Sequence, residues 1–112
     1  MASVELIPEA NEELEAIPVT EEVAVRTVIG KLEALGSRLP FPHQSAIRGS
    51  SGLRELRPRS GRSPWRAFYR RTGREEFLIG SVGPEATVNP QGFKRSIRLA
   101  EQRLAEYQEY GG

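Results

Sequence analysis

The sequence predicts a small single-domain α+β protein in which an antiparallel-rich sheet carries an N-terminal helical hairpin and a C-terminal helix. Three observations predict it. Apolar residues recur at helical spacing in two N-terminal segments and one C-terminal segment, and between them they alternate or run together in short stretches. A chain of 112 residues supports one core, burying roughly two-thirds of its unfolded surface. Residues 1–110 are therefore expected to form one domain, with the glycines at 111–112 as a frayed end.

SVELI at 3–7 alternates and suggests a first strand. Pro8 suits the first position of a helix in which Ala10, Leu14 and Ile17 share a face, and Pro18 ends it. Thr20 is the expected N-cap of the next helix, with Glu21 and Glu22 at the positive end of its dipole. Val25, Val28, Ile29, Leu32 and Leu35 form its apolar stripe, and Gly36 is the expected stop. Residues 37–52 contain two Pro, two Gly and four Ser without periodicity and are expected to be a loop. LRELRP at 53–58 alternates, with Leu53, Glu55 and Arg57 on one face. RSGRSP turns the chain into WRAFYRR at 65–71, which sets Trp65, Ala67 and Tyr69 against Arg66, Phe68 and Arg70. TGREE is a tight turn, and FLIGSV at 77–82 reads as a central strand closing a three-stranded meander. After a loop at 83–92, Phe93, Ile97, Ala100, Leu104 and Tyr107 mark a helix from about residue 91 to 110.

The net charge of +1 conceals an asymmetry. Residues 1–35 carry eight Glu against Arg26 and Lys31, a net of −6, whereas residues 48–74 carry nine Arg against Glu55, Glu75 and Glu76, a net of +6. Fourteen of the sixteen basic residues are Arg, whose planar fork suits phosphate. There is no Cys, no Asp and a single His, so a disulfide framework, a thiolate nucleophile and a metal centre are not expected, nor is any cofactor. No apolar run is long enough for a bilayer and no secretory leader is evident, so a cytoplasmic location is expected. Phosphate-loop, zinc-protease and nucleophile-elbow motifs are lacking as well.

What remains is arginine on strands beside aromatic residues. RNA cleavage suits such a set, because the 2′-hydroxyl is an internal nucleophile and the protein has only to hold the strand, neutralise the phosphorane and move protons. Arg57, Arg66 and Arg70 are read as phosphate contacts, since the strand arginines flank Phe68 rather than carboxylates. Proton transfer falls to Lys94, Tyr69 or His43, although Trp65 and Tyr69 alternate with the arginines and so also suit the core. Arg48, Arg54, Arg59 and Arg62, together with Arg95 and Arg98 on the last helix, are expected as peripheral RNA contacts or solvated surface, and Phe68 as an aromatic partner for RNA. Tyr107 and Tyr110 suit helix packing, or one of them a base.

The order of several strings resembles the RelE/HigB-type toxins of bacterial type II toxin–antitoxin modules, in particular their phage-related HigB-like branch. The strings are LEALG closing the hairpin, LPFPHQSAIRG, GLRELRP, WRAFYRRTG, EEFLIGSV and NPQGFKRSIRLAEQRLAEY. The family pattern matches at Leu53, Glu55, Leu56 and Arg57, at Trp65 and Arg66, and at Pro90, Ala100, Arg103 and Tyr107. The resemblance implies a microbial-RNase-like fold, cleavage of mRNA on the ribosome, neutralisation by a cognate antitoxin, and contact of Arg57 and Arg66 with the scissile phosphate. The chain departs from the family where many members carry lysines: it has SVGPEA after the third strand of the meander, and Ser45 and Ala46 in the preceding loop. A non-catalytic relative that binds RNA or an antitoxin, or a gyrase-poisoning relative, is accordingly the alternative to the endoribonuclease.

Overall fold

A computed structural model describes the backbone of residues 1–111 and the side chains through Tyr107. The elements run β1 (Ser3–Leu6), α1 (Pro8–Ala16), α2 (Val19–Leu35), β2 (Gln44–Ala46), β3 (Arg54–Leu56), β4 (Trp65–Gly73), β5 (Glu76–Pro84) and α3 (Pro90–Gly111), with short 3-10 turns at Gly36–Arg38 and Pro58–Gly61. The five strands form one sheet in the order β1-β5-β4-β3-β2. Only the β1–β5 pair is parallel; the other three pairs are antiparallel. The α+β reading and the meander therefore hold.

The hairpin and the last helix form where periodicity placed them, with differences at their ends. The N-cap of α2 is Pro18, not Thr20, because Pro18 is extended (φ −55°, ψ 142°) and its carbonyl already accepts the amides of Glu21 and Glu22. Gly36 stops α2 at φ 57°, a conformation that favours glycine. Leu35 is 39% exposed and Tyr107 44%, so the buried stripes stop at Leu32 and Leu104. α3 extends to Gly111, and Gly112 and the side chain of Tyr110 lie outside the described residues.

The segment expected to be loop from 37 to 52 contains a strand. Gln44, Ser45 and Ala46 of β2 pair with Leu56, Glu55 and Arg54 of β3. Three residues are too few for a readable alternation, and this strand exists because β3 offers its free edge. β3 itself is shorter than the expected 53–58, since Pro58 opens the 3-10 turn.

Helices cover both faces of the sheet. On one face Phe68 meets Phe93 of α3 edge to ring, with centroids 5.5 Å apart. On the opposite face Tyr69 packs against Phe77, 5.9 Å away, beside the α1–α2 layer. The register of β4 against β5 shifts between Phe68↔Ser81 and Tyr69↔Ile79, leaving Gly80 as an extra residue on β5. A Cβ at Gly80 would stand 3.0 Å from Ala100 Cα and 2.9 Å from Leu104 Cγ, so glycine here allows α3 to lie directly on the strand. Beyond the end of β1, Glu13 of α1 accepts the Val82 amide (3.0 Å) and both terminal nitrogens of Arg103 (3.1 Å each), and Arg103 also donates to the Gly80 carbonyl. This ties the two helical layers together around the edge of β5.

Candidate functional site

α3 covers β5 and β4 but not β3 and β2, and the uncovered part of that face is a groove of about 410 Å³. Ala46, Ile47, Arg48 and Glu55 line one side, and Ala86, Pro90, Phe93, Lys94 and Ile97 the other. Local structure places each polar group. The alternation of β3 turns Glu55 to this face, β2 brings up Ser45 as the cross-strand partner of Glu55, and the first turns of α3 project Lys94.

Glu55 is the hub. Its carboxylate accepts the Ser45 hydroxyl (2.8 Å) and lies 3.2 Å from Arg66 Nε and 3.8 Å from an Arg57 terminal nitrogen. The sequence placed Glu55 and Arg57 on one strand face, yet Glu55 did not figure among the candidate site residues; their alternation was the available signal.

The two arginines differ in what they touch. Arg66 is 3% exposed, and its terminal nitrogens donate to the carbonyls of Ser63 (2.8 Å), Trp65 (2.9 Å) and Gly61 (3.2 Å). Burial lowers its guanidinium below the ordinary arginine value, with Glu55 acting in the opposite direction. The Arg66 fork thus meets three carbonyls, where the resemblance implies contact with the scissile phosphate beside Arg57. Arg57 is half-buried: Nε donates to the Pro42 carbonyl (3.1 Å) and the guanidinium lies 5.2 Å from the centre of the Phe41 ring. Its terminal nitrogens have no hydrogen-bond partner among the described residues beyond the long ion pair to Glu55. Arg70 shares the Arg66 face and is half-buried, with Nε unpartnered among the described residues.

Two aromatic candidates are inside the protein. Phe68 is 0% exposed beneath Phe93, so no ring face is open to a base. Tyr69 is 2% exposed and points to the other side of the sheet, where burial pushes its hydroxyl up to about 12. A proton-transfer role for Tyr69 is corrected on both counts. Both side chains are buried because β4 is central and covered on each face, which its alternation alone does not disclose.

The peripheral cations divide. Arg48 and Lys94 both line the groove, and Lys94, Arg95 and Arg98 are exposed along α3 beside Asn89 and Gln91. Arg54 lies opposite Tyr69 in the register and so faces away from the groove, bonded to Gln44 (3.0 Å). Arg59 is paired with Glu21 of α2 at 2.6 Å and donates to the Thr20 carbonyl. Arg62 is exposed on the 3-10 turn and bonds the Arg59 carbonyl. Arg54, Arg59 and Arg62 are thus not among the residues that line the groove or the cationic stretch of α3. His43 is half-buried, its carbonyl taking the Arg57 amide (2.9 Å). The groove contains no cluster of three or more acidic or His groups suited to a metal, nor does any other part of the described residues. No helix among the described residues is long and apolar enough to cross a membrane.

Residues 12–105, from α1 nearly to the end of α3, match the model of the family described as phage derived protein Gp49-like. The chain belongs to the Gp49-like family. A search of curated proteins finds no match to the Gp49-like chain. Among solved structures it is similar to a double arginine-to-alanine mutant of the Escherichia coli toxin RelE in the free state, at 17% identity and TM-score 0.61, covering 88% of this chain and 97% of that one. It is also similar to a RelBE toxin–antitoxin complex from Mycobacterium tuberculosis, at 23% identity and TM-score 0.57, covering 75% and 98%. A RelE–RelB complex from Pyrococcus horikoshii matches at 17% identity and TM-score 0.54, covering 74% and 93%. The Gp49-like chain therefore has the RelE fold, as the order of its strings implied.

Proposed function

We propose that this protein is the toxin of a toxin–antitoxin pair and an endoribonuclease that cuts mRNA on the ribosome. One observation carries the reading: in a RelE fold, the strip of sheet that α3 leaves open holds the Arg57–Glu55–Arg66 cluster and faces the cations Arg48 and Lys94. In the reaction the 2′-hydroxyl of the substrate attacks the adjacent phosphorus and gives up its proton. The bond to the 5′-oxygen breaks, that oxygen gains a proton, and a 2′,3′-cyclic phosphate remains. The nucleophile is internal, so the step needs no metal. Arg57 supplies the transition-state charge donor, because its terminal nitrogens make no hydrogen bond among the described residues and one of them lies 3.8 Å from the Glu55 carboxylate that lines the groove. Glu55 holds Arg57 in place and is itself held by Arg66 and Ser45. Lys94, exposed at the groove wall, suits proton delivery to the leaving oxygen. Arg95 and Arg98 continue the cationic track along α3. The partner that restrains it is an antitoxin protein, the class of partner carried by two of the structural relatives.

A second reading, an RNA-binding relative without cleavage, is favoured by the commitment of Arg66 to carbonyls, which leaves one sheet arginine where the resemblance implies two. The experiment that decides is induction of the chain alone followed by mapping of mRNA 5′ ends. Growth arrest with new ends inside translated codons is expected, and abolished by Arg57→Ala. Arrest without new ends leaves the binding relative; normal growth with soluble protein overturns both.

A further inference from the structure

Phe41 has no place in the core or in the chemistry above. It is 68% exposed in the loop between α2 and β2, yet its position is determined. The backbone of the loop is bonded to the residue that follows β3, the Arg57 amide donating to the His43 carbonyl (2.9 Å), and Arg57 Nε donates to the Pro42 carbonyl next to the ring (3.1 Å). The guanidinium lies 5.2 Å from the ring centre. An isolated exposed apolar side chain needs no explanation. This one is fastened to the arginine with the freest nitrogens in the cluster, at the end of that side chain which also reaches Glu55 in the groove.

We propose that Phe41 is a stacking platform for a nucleobase of single-stranded RNA whose neighbouring phosphate is held by Arg57. An exposed aromatic ring beside a cation matches the two parts of a nucleotide: the π-face of any base stacks on the ring, and the charged backbone meets the guanidinium. Arg57 occupies one side of Phe41 and leaves the rest of the ring to solvent. The platform takes over the base contact that the sequence suggested for the buried Phe68. It rests on the RNA reading of the groove and adds a subsite outside the groove lining.

The test uses a short 2′-O-methyl RNA, which binds without being cut, carrying 2-aminopurine at each position in turn, both free and as the message on programmed ribosomes. The wild type is expected to quench 2-aminopurine at one position. Phe41→Ala should lose that quenching and roughly 5- to 100-fold in affinity, the range of one base–aromatic stack. Phe41→Tyr should retain both, and melting temperatures should agree because the ring is exposed. Unchanged affinity and quenching in Phe41→Ala, with affinity still lost in Arg57→Ala, overturns the platform and leaves the RNA reading intact. Full affinity in Phe41→Leu also overturns stacking, since any apolar contact, including one made for a protein partner, then suffices. Failure of the wild type to bind RNA in either form overturns the RNA reading together with the platform.

Discussion

Arg57 directly after β3 and Arg66 on the neighbouring β4 share Glu55, and their substitution should separate function from folding. Arg57→Ala removes the fork that stands beside Glu55 with its terminal nitrogens uncommitted, so cleavage should fall by about two to three powers of ten while the melting temperature changes little. Arg57→Lys should restore binding in part, because a point charge does not pair two phosphate oxygens. Arg66→Ala instead strands Glu55 and three carbonyls inside the protein, and should cost on the order of 3–5 kcal/mol of stability. Denaturant titration of the two variants beside a cleavage assay checks this; equal stability in both would remove the structural role given to Arg66. Tyr69→Phe should retain cleavage, because the hydroxyl is buried away from the groove.

α3 sits as close as it does to β5 because position 80 has no side chain. In Gly80→Ala the new methyl meets the backbone of Ala100, which moves only with the whole helix, so about 1–3 kcal/mol of stability should be lost. Cleavage should fall as well, since Lys94 and Phe93 ride on the same helix. A second contact between elements is set by charge. Arg59, and then Ser63, hold the Glu21 carboxyl below the usual carboxylate range and pin the turn after β3 to the start of α2. A lowered folded value adds stability that is full above the unfolded value of 4.5 and lost as pH falls through the folded one. Because the Arg59 side chain is 42% exposed, the gain should stay below about 1 kcal/mol. Melting curves of wild type and Glu21→Gln should therefore differ slightly near neutrality and converge in acid; a gap that widens on acidification would contradict the pairing.

At the scale of the molecule, the acidic first third and the arginine block become different regions of one fold. Arg59 is drawn to Glu21 of α2 and Arg103 to Glu13, while Arg48, Lys94, Arg95 and Arg98 remain at the groove and along α3 and Arg57 stands beside Glu55. If these five meet phosphates of a single strand, the logarithm of affinity should fall with that of salt at a slope of about −3.5, roughly a hundredfold over a fourfold rise in salt. Titration of single-stranded RNA or ribosomes at several salt concentrations checks it. A slope near zero would mean that the arginine block is solvated surface.

The sequence by itself determined the parts whose signal is local and repeated. The stripes of α2 and α3 dictate helices, the alternation of β4 places Arg66, Phe68 and Arg70 on one face, and the ordered strings around Leu53–Arg57 carry the resemblance that the RelE fold bears out. Tertiary structure alone decided which of those faces stay open. β2 has three residues and no periodicity of its own, so it forms only where the edge of β3 receives it. Phe68 and Arg66 look exposed in an alternating strand and are buried because α3 closes over one and the carbonyls of residues 61–65 close around the other. Alternation sorts side chains into two faces, but it is the packing of distant helices that chooses what each face meets, and Glu55 becomes the centre of the site only when Ser45, Arg57 and Arg66 converge on it from three strands and their flanks.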